Sequence, residues 1–565
     1  MDSTCGKLFM SIIVLPFAAG HVRRRRNGQQ YHDCSISSRV LLMIIATTVL
    51  VFTSSPNILT HAGIRRGMVM FLLTVIMVCT MLGILSLAFS VQRHGLLSVV
   101  AARRNTSTMK LQMIFLWVFG LASGFYCAFF LAKQLECFSK TNGDLFWNIL
   151  FCFNVTLILS IFVEMVFLSY FSHFQLRQTT SVNCVMFLAL TANISVILYI
   201  YFVRDTFELI KKISADNNLV ACIERNSTII VLLHKSSLFL GPAFAEYALL
   251  SITILLEIWS PIQSTHSESE SRDNDPGDSE HTTMVNETNQ VDSERLPLIP
   301  SSDDTQPGSG QAEIGTYQPD NDGRRKMPYQ SCSPMSEIEV NQQANSSRQK
   351  VSHIFTLAGS LITGLGLVIC YITQAMDIGN LDKIRYATEM YELALTVIMT
   401  LVLFIGFFCL INDCVPDKTA KPLRPCDYVY LLSAFGVFMF HFYEILGGDI
   451  LPDSATSIFF YKSILSLFQD YLQVVFLLQA NRCQKGRSKV DLLESVLIFT
   501  MIMNVVFWFT YSFLIAEFPS TRILENAHFS KELLDQVYGF LLSVAVFFRF
   551  TSFLEYYATF GKYNS

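Results

Sequence analysis

The stretch MVMFLLTVIMVCTMLGILSLAFSV, Met68 to Val91, decides the architecture. It holds no ionisable acid or base, and an apolar run of about 18 or more residues is long enough to cross the roughly 30 Å hydrocarbon core as a helix. A helix satisfies its own backbone hydrogen bonds where water cannot, so such a run reads as a membrane span. The same criterion, carried outward, predicts twelve spans. Six lie in the first part of the chain: Ser38 to Ile58, Met68 to Val91, Leu111 to Ala132, Phe146 to Phe171, Val182 to Val203 and Ile230 to Trp259. Six more follow a polar stretch: His353 to Ala375, Tyr386 to Ile411, Tyr428 to Gly448, Ile458 to Leu478, Leu492 to Ile515 and Leu533 to Tyr557. The run Leu8 to Gly20 is too short to cross and reads as an interfacial or signal-like piece without a convincing cleavage site.

Composition agrees with lipid as the solvent. The 565 residues are 52% hydrophobic and only 15% charged, against about a quarter charged in an ordinary soluble chain. The net charge of -4 decides nothing by itself; a basic balance that would suggest nucleic acid is absent, and the one dense basic run, Arg23 to Arg26, suits a cytoplasmic membrane flank. Between the two sets of spans, residues 260–350 are rich in Ser, Asp, Glu, Asn, Pro and Gly, with too few apolar residues to offset the entropy of ordering. The predicted organisation is therefore a cytoplasmic segment (1–37), a six-helix domain (38–259), a disordered cytoplasmic linker (260–350), a second six-helix domain (351–557) and a cytoplasmic tail (558–565). The linker fragment ERLPLI, Glu294 to Ile299, has the spacing of an acidic dileucine sorting signal and leaves an endolysosomal membrane open beside the plasma membrane.

An even number of spans puts both termini on one side. Arg23 to Arg26, Arg103, Arg104, Lys418, Lys421, Arg424, Arg482, Lys485, Arg487 and Lys489 all fall on that side, which loop charge makes the cytoplasm. Arg65, Arg66, Lys211 and Lys212 fall opposite, so the bias is moderate. The sequon Asn226-Ser-Thr lies on the predicted outside and is the candidate glycosylation site. The 14 cysteines show no CxxC pair and no Cys/His spacing for zinc, so most read as small apolar residues in helix packing. Cys137 and Cys222, both in predicted outer loops, could pair there, but sequence does not supply the geometry a disulfide needs.

An ionisable side chain at mid-span costs roughly 2.5 to 3.5 kcal/mol, so each one needs a partner or a water-filled cavity. Glu164, Glu246, Glu392, Asp470 and Arg549 are such residues. Gln473 lies three after Asp470 and shares its helical face, with Gln469 alongside, which makes a polar stripe. Buried carboxylates can exchange protons, or with Arg549 they can form a structural network that holds helices together. His441 with Glu444 in the ninth span, and His234 at the start of the sixth, are candidate vestibule or pH-sensing groups, since histidine titrates near physiological pH. Packing is the commoner role of a helix histidine, and interhelical hydrogen bonding is the expected role of Asn193, Asn504 and Tyr538. No nucleotide loop, HExxH or GxSxG pattern occurs, so no enzyme, cofactor or metal site is predicted.

These residues converge on a resemblance. GPAFAEYAL (Gly241 to Leu249), closed by Trp259, resembles the sixth-helix signature of otopetrins. LSAFGV (Leu432 to Val437), Leu472-Gln473 with Phe476 and Ala480-Asn-Arg482, Asn504 with Trp508, Tyr538-Gly539 and Phe548-Arg549-Phe550 are similar to later motifs of the same family. Departures mark a divergent member: Thr551 stands where histidine is usual, Leu514 where an acid often follows, the spacing from Tyr538 to Arg549 is short, and Asp205 only approximates an outer glutamate. The resemblance implies a plasma-membrane homodimer, each subunit holding two six-helix domains, around a lipid-filled centre. It also implies a proton-selective conductance opened by extracellular acid and blocked by zinc. Carried over by position, Glu246, Tyr247, Gln473, Asn504 and Arg549 belong to the proton path or its constriction, Asp470 joins them by burial and spacing, and Asp205 is a vestibule charge. A twelve-helix secondary transporter is the rival, disfavoured because residues 92–104 lack that class's loop pattern and the halves show no evident sequence repeat. A non-conducting scaffold is the third reading.

Overall fold

The structure, a computed structural model, describes residues 66–103, 108–138, 145–177, 179–203, 222, 228–259, 337–375, 381–416, 425–448, 454–485, 491–513 and 531–564. It is nearly all helical. The helices are α1 (Arg66–His94), α2 (Met109–Cys137), α3 (Leu145–Phe171), α4 (Thr180–Val203), α5 (Thr228–Ile258), α6 (Glu337–Ala375), α7 (Leu381–Asp413), α8 (Pro425–Gly448), α9 (Ser454–Arg482), α10 (Asp491–Phe513) and α11 (Lys531–Asn564). They cover the second to twelfth predicted spans, and ten of the helices are long and apolar enough to cross a membrane. The predicted first span, the Leu8 to Gly20 run, Asp205, Asn226, Leu514 and most of the linker lie outside the described residues.

The boundaries follow local chemistry. Pro425 opens α8, where its missing N–H has no helical acceptor to lose. Pro242 sits inside α5 and removes one backbone bond just ahead of Glu246, a place membrane helices tolerate when neighbours satisfy the freed carbonyl. α11 runs past Tyr557 to Asn564: Lys562 Nζ donates to the carbonyls of Asn481 (2.9 Å) and Cys483 (2.6 Å), and the Tyr563 hydroxyl donates to Ala480 O (3.0 Å), so the last turn closes the orphan carbonyls at the end of α9. Two small antiparallel sheets, which an all-helical expectation omits, tie helix ends together. β1 (Val100–Arg103) pairs with β2 (Phe174–Leu176) beyond α1 and α3; β3 (Cys414–Pro416) pairs with β4 (Cys483–Lys485) beyond α7 and α9.

Packing repeats along the chain. α1 packs on α3 and α4, α2 on α3 and α5, and α4 on α5; α7 packs on α9 and α10, α8 on α9 and α11, and α10 on α11. Each helix of the first group therefore has the partners of the helix six later. The two sheets repeat in the same way. α5 and α11 also cross between the groups, α5 reaching α8 and α10 while α11 reaches α4. Large apolar side chains such as Phe71, Phe89, Phe355 and Ile362 stay exposed, which suits a surface turned to lipid.

Candidate functional site

Beside its buried apolar clusters, the core of α7–α11 holds a set of buried polar and charged side chains. Along α9, Lys462, Ser463, Gln469, Asp470 and Gln473 are all buried, and Asp470 and Gln473 have no exposed surface. Their spacing keeps them on one side of the helix. Facing side chains complete them. His441 of α8 places Nε2 3.1 Å from Asp470 Oδ2 and Nδ1 3.0 Å from Glu444 Oε2. Glu444 Oε2 also accepts from the Ser463 hydroxyl at 3.1 Å. Arg549 of α11 brings Nη1 to 2.6 Å from Asp470 Oδ1, an ion pair whose angle falls outside hydrogen-bond alignment. The same Nη1 donates to Gln469 Oε1 at 3.3 Å. Gln469 Nε2 donates to Gln473 Oε1 (3.0 Å), and Gln473 Nε2 donates to Asn504 Oδ1 of α10 (3.0 Å). A single chain of contacts thus runs Ser463, Glu444, His441, Asp470, Arg549, Gln469, Gln473, Asn504.

Toward the start of α9, a second cluster adjoins the first. Lys462 Nζ lies 2.6 Å from Glu389 Oε2 and 3.2 Å from Glu392 Oε2. Glu392 accepts from the Tyr371 hydroxyl and the Tyr511 hydroxyl, each at 2.7 Å. Four carboxylates (Glu389, Glu392, Glu444, Asp470) therefore stand against two fixed cations (Lys462, Arg549), with His441 between. Leaving charge uncompensated in a buried site is costly, so the number of protons held on His441 and the acids sets the balance of the site.

Glu246 occupies a separate position. Trp508 Nε1 donates to its Oε1 at 2.6 Å and the Ser512 hydroxyl donates to the same atom at 2.9 Å. Adjacent residues on a helix point to different neighbours, and Tyr247 accordingly faces α3, its hydroxyl donating to Ile161 O at 3.2 Å and lying 3.5 Å from Glu164 Oε2. Asn193 Nδ2 donates to Glu164 Oε1 at 2.6 Å.

The arrangement of Glu164 and Asn193 recurs. Glu164 stands as far ahead of β2 as Gln473 stands ahead of β4, and Asn193 as far into α4 as Asn504 into α10. The pair Glu246-Tyr247 of α5 has its counterpart in Glu555-Tyr556 of α11. At the positions of Asp470 and Arg549, the same spacing in the first group meets Ile161 and Leu240. The charged chain therefore has no counterpart there.

Of the residues singled out by sequence, Asp470, Gln473, Asn504, Arg549, His441 and Glu444 come together in one network. His441 and Glu444, expected at a vestibule, are buried within it, at 2% and 8% exposure. Glu246 and Tyr247 lie in neighbouring contacts. His234 falls within α5, but its side chain lies outside the described residues, and so do Asp205 and Asn226 altogether. Sequence reading missed Lys462 and Glu389. The signal was available: Glu389 and Glu392 share a helical face at i and i+3, and Lys462 lies two turns before Asp470. Cys137 and Cys222 form a disulfide with Cα atoms 5.9 Å apart. Lys133, fully buried, donates Nζ to the Cys222 carbonyl and to Glu136 Oε2, each at 3.1 Å. No group of three or more metal-ligating side chains gathers among the described residues.

No curated protein matches the chain. A family model described as Otopetrin matches residues 199–550, which include α5 to α10 and all of the charged network. The chain belongs to the otopetrin family, a family of proton channels and not of enzymes, and is a multi-pass membrane protein.

Proposed function

We propose that this protein conducts protons into the cell in response to extracellular acid, and that the route follows the buried contacts from Ser463 and Glu444 through His441 to Asp470 and then crosses, by way of water, past Arg549 and Gln469 to Gln473 and Asn504. The observation that carries the reading is the run of hydrogen-bonding distances joining the titratable groups Glu444, His441 and Asp470 on α8 and α9. A carboxylate and an imidazole each accept a proton on one atom and release it from another. Arg549 does not release a proton, so its role is electrostatic: it balances Asp470 and adds a fixed positive charge where a metal cation would pass. Gln473 and Asn504 do not titrate either. Across them a proton moves only with water or with reorientation of the amides, which makes this pair the constriction. Arg549 Nε is buried with no hydrogen-bond partner among the described residues, a condition that buried polar groups usually meet with water.

Glu246 extends the route toward α5 through Trp508 and Ser512, which lie four and eight residues after Asn504 on the same helix. The plasma membrane, cytoplasmic termini, a homodimer in contact with lipid and glycosylation at Asn226 complete the proposal. Orientation has support from the Cys137–Cys222 disulfide, because disulfides persist in oxidising compartments and this end of α2 is the predicted outer one.

The test is whole-cell current from cells expressing the chain, with sodium replaced by an impermeant cation and the bath stepped to acid. An inward current whose reversal follows the proton gradient supports the reading. Surface-expressed protein without current sinks it.

A further inference from the structure

Lys462 has no part in handing on a proton in the route above, yet it is buried in the same helix. Its ammonium lies 2.6 Å from Glu389 and 3.2 Å from Glu392, and Tyr371 and Tyr511 bind the two oxygens of Glu392 from other helices. The side chain of Glu389 keeps 19% of its surface exposed, while that of Glu392 keeps 2%. Two carboxylates converging on one point, with one of them partly open, are oxygen ligands of the kind a hard metal cation takes. The point is already filled by the ammonium.

The cluster is also placed where such filling matters. α7 and α9 both end at the β3–β4 sheet, so Glu389, Glu392 and Lys462 lie toward the opposite end, the outer one in the orientation proposed above. Ser463, next to Lys462, donates to Glu444, the first acid of the route. Asp470 lies about 12 Å further along the helix at 1.5 Å per residue.

We propose that Lys462 is a specificity-determining residue: its tethered ammonium permanently occupies the cation site formed by Glu389 and Glu392 at the mouth of the route, so that metal ions find no carboxylates to bind there. A proton needs no vacant coordination sphere and transfers between groups already in contact. This inference rests on the proton-channel reading for its physiological meaning, though the cation site itself can be tested without it.

The experiment compares wild type, Lys462→Arg, Lys462→Gln and Lys462→Cys by acid-evoked current, with sodium or an impermeant cation outside. Wild type and Lys462→Arg are expected to be indifferent to sodium. Lys462→Gln and Lys462→Cys are expected to become sodium-dependent, through a shifted reversal or a suppressed current. Attaching an ethylammonium group to the thiol introduced by Lys462→Cys is expected to restore indifference. Currents in both neutral variants that ignore sodium as wild type does overturn the proposal. So does the failure of both to reach the surface, which assigns Lys462 to folding alone. If wild type carries no current, the channel reading fails separately; the site is then read from purified protein, where sodium should raise the melting temperature of Lys462→Gln and leave wild type unmoved.

Discussion

Asp470 is held from two sides: Arg549 Nη1 stands 2.6 Å from one carboxylate oxygen and His441 Nε2 3.1 Å from the other. One partner is a permanent cation and the other can gain or lose a proton, so the acid is tied at once to structure and to proton exchange. Removing the cation alone leaves a buried carboxylate uncompensated. Arg549→Met is expected to destabilise the protein by about 3 to 5 kcal/mol, read as a lowered melting temperature of purified protein. The paired change Asp470→Asn with Arg549→Gln, which removes both charges, should lose less.

Asp470→Asn by itself preserves shape but removes the proton acceptor between His441 and the amides. The acid-evoked current is expected to fall by about tenfold or more at equal surface density, equivalent to about 1.4 kcal/mol or more on the barrier. An unchanged current would remove Asp470 from the route and leave it a structural residue.

Glu246→Gln separates charge from packing. An amide oxygen still accepts from Trp508 and Ser512, which now donate to Glu246 Oε1. Stability should therefore change by no more than about 1 kcal/mol, while conductance drops if the carboxylate carries protons. Thermal unfolding and current density, measured on the same variant, distinguish the two effects.

Cys137→Ser and Cys222→Ser should each cost about 2 to 4 kcal/mol by lifting the constraint on the unfolded chain. A non-reducing digest of the wild type should yield one peptide pair containing both cysteines, lost on reduction. Recovery of both as free thiols would remove the disulfide and with it the support it lends to orientation.

Close helix packing makes a further prediction. At Gly406 of α7 an added Cβ would meet the Phe476 ring at 2.7 Å and Val496 at 3.0 Å, whereas at Gly241 of α5 nothing lies within 4 Å. Gly406→Val should destabilise by about 1 to 3 kcal/mol through overpacking; Gly241→Ala should leave the melting temperature unchanged or raised.

The helices were legible from the chain alone. Runs such as Met68 to Val91 have one stable form in lipid, because only a helix bonds every backbone group internally, and the second to twelfth spans appear as helices with ends shifted mainly by caps and by the polar turns of α6, α9 and α11. Sequence also marked the buried charges as unusual, since their insertion cost is a property of the residue. It offered Arg549 as a partner of the buried carboxylates only as one of two readings, and it did not bring His441 to Asp470. Asp470 meets His441 and Arg549 from separate helices, far apart in the chain, and those contacts exist only once α8, α9 and α11 have packed. The recurrence of packing between α1–α5 and α7–α11 was hidden for a similar reason. Helix packing in lipid asks for shape and a few polar contacts, so Glu164 with Asn193 in one group and Gln473 with Asn504 in the other keep the contact while the surrounding sequence diverges. The charged chain itself was left to tertiary packing, because the pairing of buried charges depends on distances of about 3 Å between helices, and no local pattern along a chain encodes them.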